Sequence, residues 1–145
     1  MKAKEYLQQL KRLDTMINQK NQELGDLRLR AKCAGSVNYS QERVQTSPTG
    51  EGAFAKLVEK ILDLESEINI EIDVFIDKKH AIINQIQSLQ NTDYTKLLYK
   101  RYVEYKSLER ICVEMGFSYN YIKHLHGYAL QNFQEKILNS TPNDT

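Results

Sequence analysis

The sequence predicts an all-α protein in which a long antiparallel helical hairpin, a coiled-coil arm, is followed by a C-terminal three-helix helix-turn-helix domain. Three observations predict this fold class. Apolar residues recur at helical spacing over most of the 145 residues, only two prolines and six glycines interrupt the chain, and 27% of the residues are charged. This composition disfavours a β-sandwich and differs from that of a disordered chain.

The first predicted helix lies within residues 2–32, which contain no proline and a single glycine. Its apolar residues follow each other at steps of three or four, with one step of seven: Leu7, Leu10, Leu13, Ile17, Leu24 and Leu27. A stripe of this width buries one face of a helix against one partner helix. Residues 2–32 are therefore predicted to form a helix that packs against one other helix.

The second predicted helix follows a polar loop at residues 34–53, whose glycines, serines and proline are typical of a connection. Helical periodicity resumes over residues 53–90, where the apolar positions are Leu57, Ile61, Leu64, Ile68, Ile72, Phe75, Ile82, Ile86 and Leu89. At about 1.5 Å per residue such a helix is roughly 55 Å long. Because a globule of this size cannot hide that length, we expect a coiled-coil arm.

Charge favours pairing between these two helices. Residues 1–35 contain eight Lys or Arg and four Asp or Glu, whereas residues 54–92 contain four Lys or Arg and seven Asp or Glu. Oppositely charged helices attract, although each exposed ion pair contributes less than about 1 kcal/mol. We predict an antiparallel hairpin within residues 1–91. The alternative that both helices pair with another protomer stays open on the sequence alone.

Residues 92–138 contain seven of the nine tyrosines and predict a separate compact domain. Thr92 or Asp93 is expected to cap its first helix, with an inner face of Tyr94, Leu97, Leu98, Tyr102 and Tyr105. A short second helix and a long third one are expected at residues 108–115 and 119–138, capped by Ser107 and Ser118. The small polar residues 139–145 predict a disordered tail.

The spacing around Gly116 indicates a helix-turn-helix. Two helices that cross steeply need a small residue where their backbones approach, and Cys112 supplies it. The turn needs Gly116 in a left-handed conformation. Ile111, Ile122 and Leu125 are then placed to pack between the helices. The alternative of an ordinary helix–glycine–helix corner with a buried face shares part of this pattern.

In a DNA-reading corner, the solvent face at the start of the last helix enters the major groove. The residues expected to read bases are Ser118, Tyr119, Asn120, Tyr121, Lys123 and His124. Those expected to contact phosphates are Lys100, Arg101, Lys106, Ser107 and Arg110. Residues 93–138 contain seven Lys or Arg and five Asp or Glu. Because affinity follows the number of phosphates neutralised, we expect weak binding by a monomer, strengthened by dimerisation or by a DNA-bound partner.

The stretch LLYKRYVEYKSLERICVEMGFSYNYIKHLHGYALQNFQEKI resembles the fourth conserved region of bacterial sigma factors. The resemblance lies in an RY that ends one helix, a hydrophobic–Gly–x–Ser corner and a final helix containing Ala-Leu. This stretch is preceded by a basic amphipathic helix, a polar loop containing RVQTSPTGEG and a second long helix. With these segments, the whole chain is similar to small sigma-like regulators of phages and prophages of low-GC Gram-positive bacteria, which sit beside the ArpU-type late-gene regulators. This resemblance implies a transcriptional regulator of phage genes.

No catalytic constellation is present in the sequence, so we expect a protein that is not an enzyme and has no cofactor. His124 and His126 are two residues apart and point to different faces of a helix, which disfavours a metal site. The N-terminal residues lack the apolar stretch of a signal peptide, and no apolar run is long enough to span a membrane, which indicates the cytoplasm of a bacterial host.

Two classes of function stay open on the sequence. In the first, the chain is a DNA-binding regulator whose partners are double-stranded DNA and, through the arm, host RNA polymerase or a second copy of the chain. A variant of this class is a DNA-recognition subunit of a phage packaging complex. In the second, the arm is a protein-interaction module and the corner does not bind DNA.

Overall fold

A computed structural model describes residues 2–41 and 48–140, and within them the side chains of residues 2–33 and 52–140. Every element in this part of the chain is helical, which confirms the predicted all-α class. The helices are α1 (Ala3–Gln41), α2 (Pro48–Gln87), α3 (Thr92–Leu98), α4 (Leu108–Met115) and α5 (Tyr119–Phe133). Short π-helical segments follow α3 at Tyr99–Val103 and α5 at Gln134–Leu138. None of the helices within these residues combines the length and apolar character needed to cross a membrane.

Both long helices extend into the predicted loop at residues 34–53. Helix α1 continues to Gln41 and α2 begins at Pro48, whereas residues 42–47 lie outside the described residues. Extending an existing helix adds one hydrogen bond for each residue fixed, and proline is well tolerated in the first turn, so polar composition alone does not end a helix. Most of the predicted disordered tail, residues 141–145, also lies outside the described residues.

The chain divides into two compact units. The middle unit is Thr15–Ile76, and the terminal unit combines Met1–Asp14 with Asp77–Thr145. This division differs from the domain boundary between residues 91 and 92 that the sequence predicts. The difference arises because the first residues of α1 and the last residues of α2 belong to the same unit as α3, α4 and α5.

In the middle unit, segments of α1 and α2 pair through a narrow apolar stripe. Leu24, Ile61 and Ile68 are buried, as the helical spacing predicts. Two ion pairs flank the stripe: Lys20 Nζ lies 3.0 Å from Glu71 Oε1, and Arg28 Nε lies 2.8 Å from Glu65 Oε2. Lys20 precedes Arg28 on α1, whereas the partner of Lys20, Glu71, follows the partner of Arg28 on α2. The paired segments therefore run antiparallel. Exposed ion pairs contribute little to stability, and the buried residues therefore supply most of the association.

In the terminal unit, the start of α1 packs against the last helix. The backbone N–H of Ala3 donates a hydrogen bond of 2.7 Å to Gln134 Oε1, and the rings of Tyr6 and Phe133 have centroids 5.8 Å apart. Leu7 and Leu10 are fully buried. These contacts explain why the first residues of the chain belong to this unit.

The α4–α5 corner has its own apolar core within the terminal unit. Its four buried residues are Leu97, Ile111, Ile122 and Leu125. Tyr94, Leu108, Cys112, Met115 and Phe117 are partly buried and pack around them. The predicted packing positions of Ile111, Ile122 and Leu125 are confirmed.

The local signals at the ends of α4 and α5 are also confirmed. Ser107 Oγ accepts a hydrogen bond of 3.2 Å from the backbone N–H of Arg110, and Ser118 Oγ accepts one of 3.1 Å from that of Tyr121. Gly116 adopts a left-handed conformation with φ 77°, and its N–H donates to the Cys112 carbonyl at 3.0 Å. The corner is thus fixed by hydrogen bonds between near neighbours in the sequence.

Two predictions in the first helix of this region are wrong. Its N-cap is Asn91, whose Oδ1 accepts from the backbone N–H of Asp93 at 2.9 Å, rather than Thr92 or Asp93. Thr92 is already helical, so the residue before it has the extended backbone that a cap requires. Tyr105, predicted to face the core, is 40% exposed and has φ 60°, because the chain has left the helix after Val103.

Candidate nucleic-acid interface

The first turns of α5 present one face to the core and the other to solvent. Ile122 and Leu125 are buried on the inner face. All six residues predicted to read bases are exposed: Ser118, Tyr119, Asn120, Tyr121, Lys123 and His124. The structure therefore brings these side chains together on an accessible surface, which we call the α5 face.

Side chains on the α5 face are arranged in pairs four residues apart. The Lys123 ammonium lies 5.5 Å from the centroid of the Tyr119 ring, within the range of a cation–π interaction. His124 Nδ1 lies 2.8 Å from the backbone carbonyl oxygen of Asn120 and donates to it when that nitrogen carries the proton, which leaves the Asn120 amide side chain out of this contact. Nε2 is then the imidazole nitrogen left for an external partner. These contacts restrict Lys123 and His124 to defined positions along the helix.

Aromatic residues flank the α5 face. The ring of Tyr121 packs edge-to-face on Phe117, with centroids 4.8 Å apart and an interplanar angle of 63°. Phe117 is itself partly buried in the core and so anchors the tyrosine. Tyr128, two turns further along α5, is 56% exposed and extends the aromatic surface. Tyr128 was not among the predicted residues. It lies seven residues after Tyr121, and this spacing places both tyrosines on one side of the helix.

Three of the five predicted phosphate-contacting residues converge on one carboxylate, Glu114. Lys100 Nζ and Lys106 Nζ lie 2.8 and 2.9 Å from Glu114 Oε1, and Arg110 Nε lies 3.0 Å from Oε2. These hydrogen bonds, led by that from Lys100, lower the pKa of Glu114 to about 2. We call these four residues the Glu114 cluster. Lys106 Nζ also lies 3.0 Å from Glu104 Oε1, so the three cations have two carboxylate partners and exceed them by one positive charge.

The other two predicted phosphate residues lie in different surroundings. Ser107 uses its hydroxyl oxygen as the N-cap acceptor of α4. Arg101 donates from Nη1 to the carbonyl oxygen of Lys106 at 3.0 Å and does not join the Glu114 cluster. Sequence reasoning missed Glu114 altogether. The spacing of four between Arg110 and Glu114 was a readable signal for one of its three ion pairs.

Behind the α5 face, His126 stacks on Tyr102. Their ring centroids are 5.8 Å apart, and the Tyr102 hydroxyl lies 2.9 Å from His126 Nε2. Burial, with the positive charges of Arg101 and Lys4, lowers the pKa of His126 to about 4. The imidazole is therefore neutral at physiological pH, which allows the tyrosine hydroxyl to donate to it. His126 is thus a partly buried residue of this core.

No protein-family model, no curated protein and no solved structure matches this chain. The chemistry of the described residues is therefore the basis for assigning a function. The α5 face offers an amide, an ammonium group, an imidazole and several phenols on one exposed helix surface. The Glu114 cluster adds a local excess of positive charge near the start of α4.

Proposed function

We propose that the chain is a DNA-binding transcriptional regulator of phage or prophage genes, similar to the fourth region of sigma factors. In this proposal residues 92–138 form a helix-turn-helix domain in which α4 and α5 are the two helices of the motif. Residues 1–91 form a helical hairpin that dimerises the protein or contacts host RNA polymerase. Duplex DNA is bound with α5 in the major groove.

The observation that carries the proposal is the exposure of all six candidate base-reading side chains on the α5 face. An asparagine amide bonds adenine through two hydrogen bonds, and a lysine ammonium reaches the O6 and N7 acceptors of guanine. Asn120 and Lys123 supply these groups within one turn of helix. Exposed tyrosine rings contact thymine methyl groups, and their hydroxyls contact phosphates.

The Glu114 cluster supports the proposal because its cations are available for phosphate contacts and one of them, Arg110, belongs to α4, the first helix of the proposed motif. In helix-turn-helix proteins the first helix of the motif crosses the DNA backbone while the second enters the groove. Lys100, Lys106 and Arg110 lie around the start of α4 in this way. Because Glu114 offsets part of their charge, the cluster favours weak non-specific binding, and a second DNA-binding unit is needed for tight binding.

The middle unit supports a role in protein contacts. Several of its large apolar residues are exposed: Leu29, Leu62, Ile70, Val74 and Ile76. Ile70 and Val74, four residues apart on α2, lie on one side of that helix, and an exposed apolar surface of this kind is typical of a protein interaction site. This observation also favours the second candidate function, a protein-interaction module that does not bind DNA.

Selection from a pool of random duplexes tests the proposal. We expect the full chain to enrich a short motif, and the double variant Asn120→Ala/Lys123→Ala to bind the enriched duplex at least about tenfold more weakly, since each base contact contributes about 1–3 kcal/mol. A matched control, Lys78→Ala/Asn84→Ala, removes the same two residue types from exposed positions on α2. It should bind the duplex like the unaltered chain.

The outcome that contradicts the proposal is equal affinity of the double variant and the control, or no enriched motif at all. Light scattering on the same samples separates the alternatives. A ring-like oligomer that binds DNA favours the packaging subunit, whereas a dimer that fails to enrich any duplex favours the interaction module.

A further inference from the structure

A pocket in the terminal unit lies between the start of α1 and the segment that follows α3. Its volume is about 190 Å³, well above the roughly 30 Å³ that one water molecule occupies in the liquid. Leu7 forms its buried floor, and the other lining residues are Lys4, Gln8, Lys11, Arg101, Tyr102 and Tyr105. The pocket is therefore large enough for a group with several oxygen atoms, and its rim is polar.

Positive charge dominates the lining. It contains three cations, Lys4, Lys11 and Arg101, and no carboxylate. The charges of Lys4 and Arg101 both act on His126, which indicates that these two cations face the same region although they are far apart in sequence. Like charges brought together repel, and an anion in the pocket offsets that repulsion.

The carboxylate of Asp14, which is not among the lining residues, has two partners. Lys79 Nζ lies 2.7 Å from Asp14 Oδ1, and the Tyr105 hydroxyl donates to Oδ2. The ion pair with Lys79 offsets the charge of Asp14. The positive charge on which the phosphate site depends comes from Lys4 and Arg101.

The wall formed by residues 101–105 is held in one conformation. Arg101 is fixed by its hydrogen bond to the Lys106 carbonyl, and the Lys11 ammonium lies 5.9 Å from the centroid of the Tyr105 ring. Tyr105 has φ 60° and is the single non-glycine residue with a positive φ in the described part of the chain. A bulky residue adopts this conformation at an energetic cost, and such residues cluster at ligand sites.

We propose that this pocket binds a phosphate group, with Lys4 and Arg101 as its principal ligands. Planar guanidinium and compact ammonium groups are the usual partners of phosphate oxygens, and Gln8 adds an amide donor at the rim. The assignment of this phosphate to a DNA strand rests on the proposed function, whereas affinity for phosphate itself does not. In the DNA-bound state the first helix of the chain then contributes to the interface together with α4 and α5.

Titration with inorganic phosphate at constant ionic strength tests the pocket. We expect saturable shifts in the backbone amide resonances of Leu7, Gln8 and Tyr105 in the full chain, and at least tenfold weaker binding by Lys4→Gln. Lys4 is exposed, so this variant retains the fold, which circular dichroism verifies. The matched control Lys60→Gln removes the same charge from the middle unit and should bind phosphate normally. The proposal is overturned if phosphate causes no shifts, or if chloride at the same ionic strength causes equal ones. It is also overturned if Lys4→Gln binds phosphate as the unaltered chain does.

The salt dependence of DNA binding identifies the source of the phosphate. If the pocket holds a DNA phosphate, Lys4→Gln reduces the slope of log Kd against log salt concentration by about 0.9, the value for one lost contact. An unchanged slope in a variant that has lost phosphate binding assigns the pocket to a free phosphorylated ligand and overturns the DNA assignment. A different result would show that the proposed function is wrong: the double variant Asn120→Ala/Lys123→Ala would bind DNA as tightly as the unaltered chain.

Discussion

A matched pair of substitutions, Gly116→Ala and Gly127→Ala, tests the backbone conformation of the α4–α5 corner. A Cβ atom added at either glycine meets no neighbouring atom within 4 Å, so packing does not enter the comparison. Gly116 has φ 77°, where an L-residue pays about 1–2 kcal/mol. Gly127 lies inside α5, where alanine is more favourable than glycine by about 1 kcal/mol. We therefore expect the free energy of unfolding to fall in the first variant and to rise in the second.

Urea unfolding followed by far-UV circular dichroism measures both changes. The two variants should differ by about 2–3 kcal/mol, with urea dependence equal to that of the unaltered chain. Gly116→Asn is a useful control, because asparagine tolerates the left-handed conformation better than alanine does and should recover part of the loss. The reasoning is refuted if both alanine variants shift in the same direction, or if asparagine is as harmful as alanine.

Two further predictions concern titration and charge. Burial lowers the pKa of His126 from its ordinary value of 6.5 to about 4, so the unfolded chain binds the proton more tightly. The protein should therefore lose stability as the pH falls from 6.5 towards 4, by less than the roughly 3 kcal/mol of the full shift, because solvent screens this partly exposed imidazole. Urea unfolding at several pH values should show a smaller loss in His126→Gln, and an equal loss in both proteins would contradict this origin. Replacing Glu114 by glutamine leaves Lys100, Lys106 and Arg110 without their shared carboxylate, so DNA binding should tighten and its salt dependence should steepen. Titrations with a random duplex at two salt concentrations measure this, and an affinity unchanged by Glu114→Gln would argue against phosphate contacts by the cluster.

The helix ends around the corner could be predicted from the sequence because their causes are local. A serine hydroxyl that caps a helix bonds an N–H only three residues away, as Ser107 and Ser118 do. The left-handed conformation of Gly116 follows from the residue itself. Asn91 shows the limit of this reasoning, since neighbouring polar residues compete for the cap and small differences in backbone conformation decide between them.

Features that join distant segments could not be predicted. Nothing in the spacing of Lys100, Lys106 and Glu114 indicates that they meet, because the turn at residues 104–107 sets their positions. Similarly, Lys4 and Arg101 line one pocket only because α1 packs in the terminal unit. The exposed α5 face was predictable for the opposite reason: helical periodicity assigns the buried positions of α5, and the remaining side chains face solvent.

The composition of the terminal unit has a consequence for folding during synthesis. Residues 1–14 are translated well before Phe133 and Gln134, which they contact. The unit therefore cannot close until those two residues have been translated, and the 62 residues Thr15–Ile76 must be bridged when it does. Loop-closure entropy rises with the length of that loop, so we expect docking of the first turns of α1 to be a late and slow event. Until this docking takes place, the contacts that bury Leu7 and Leu10 are incomplete.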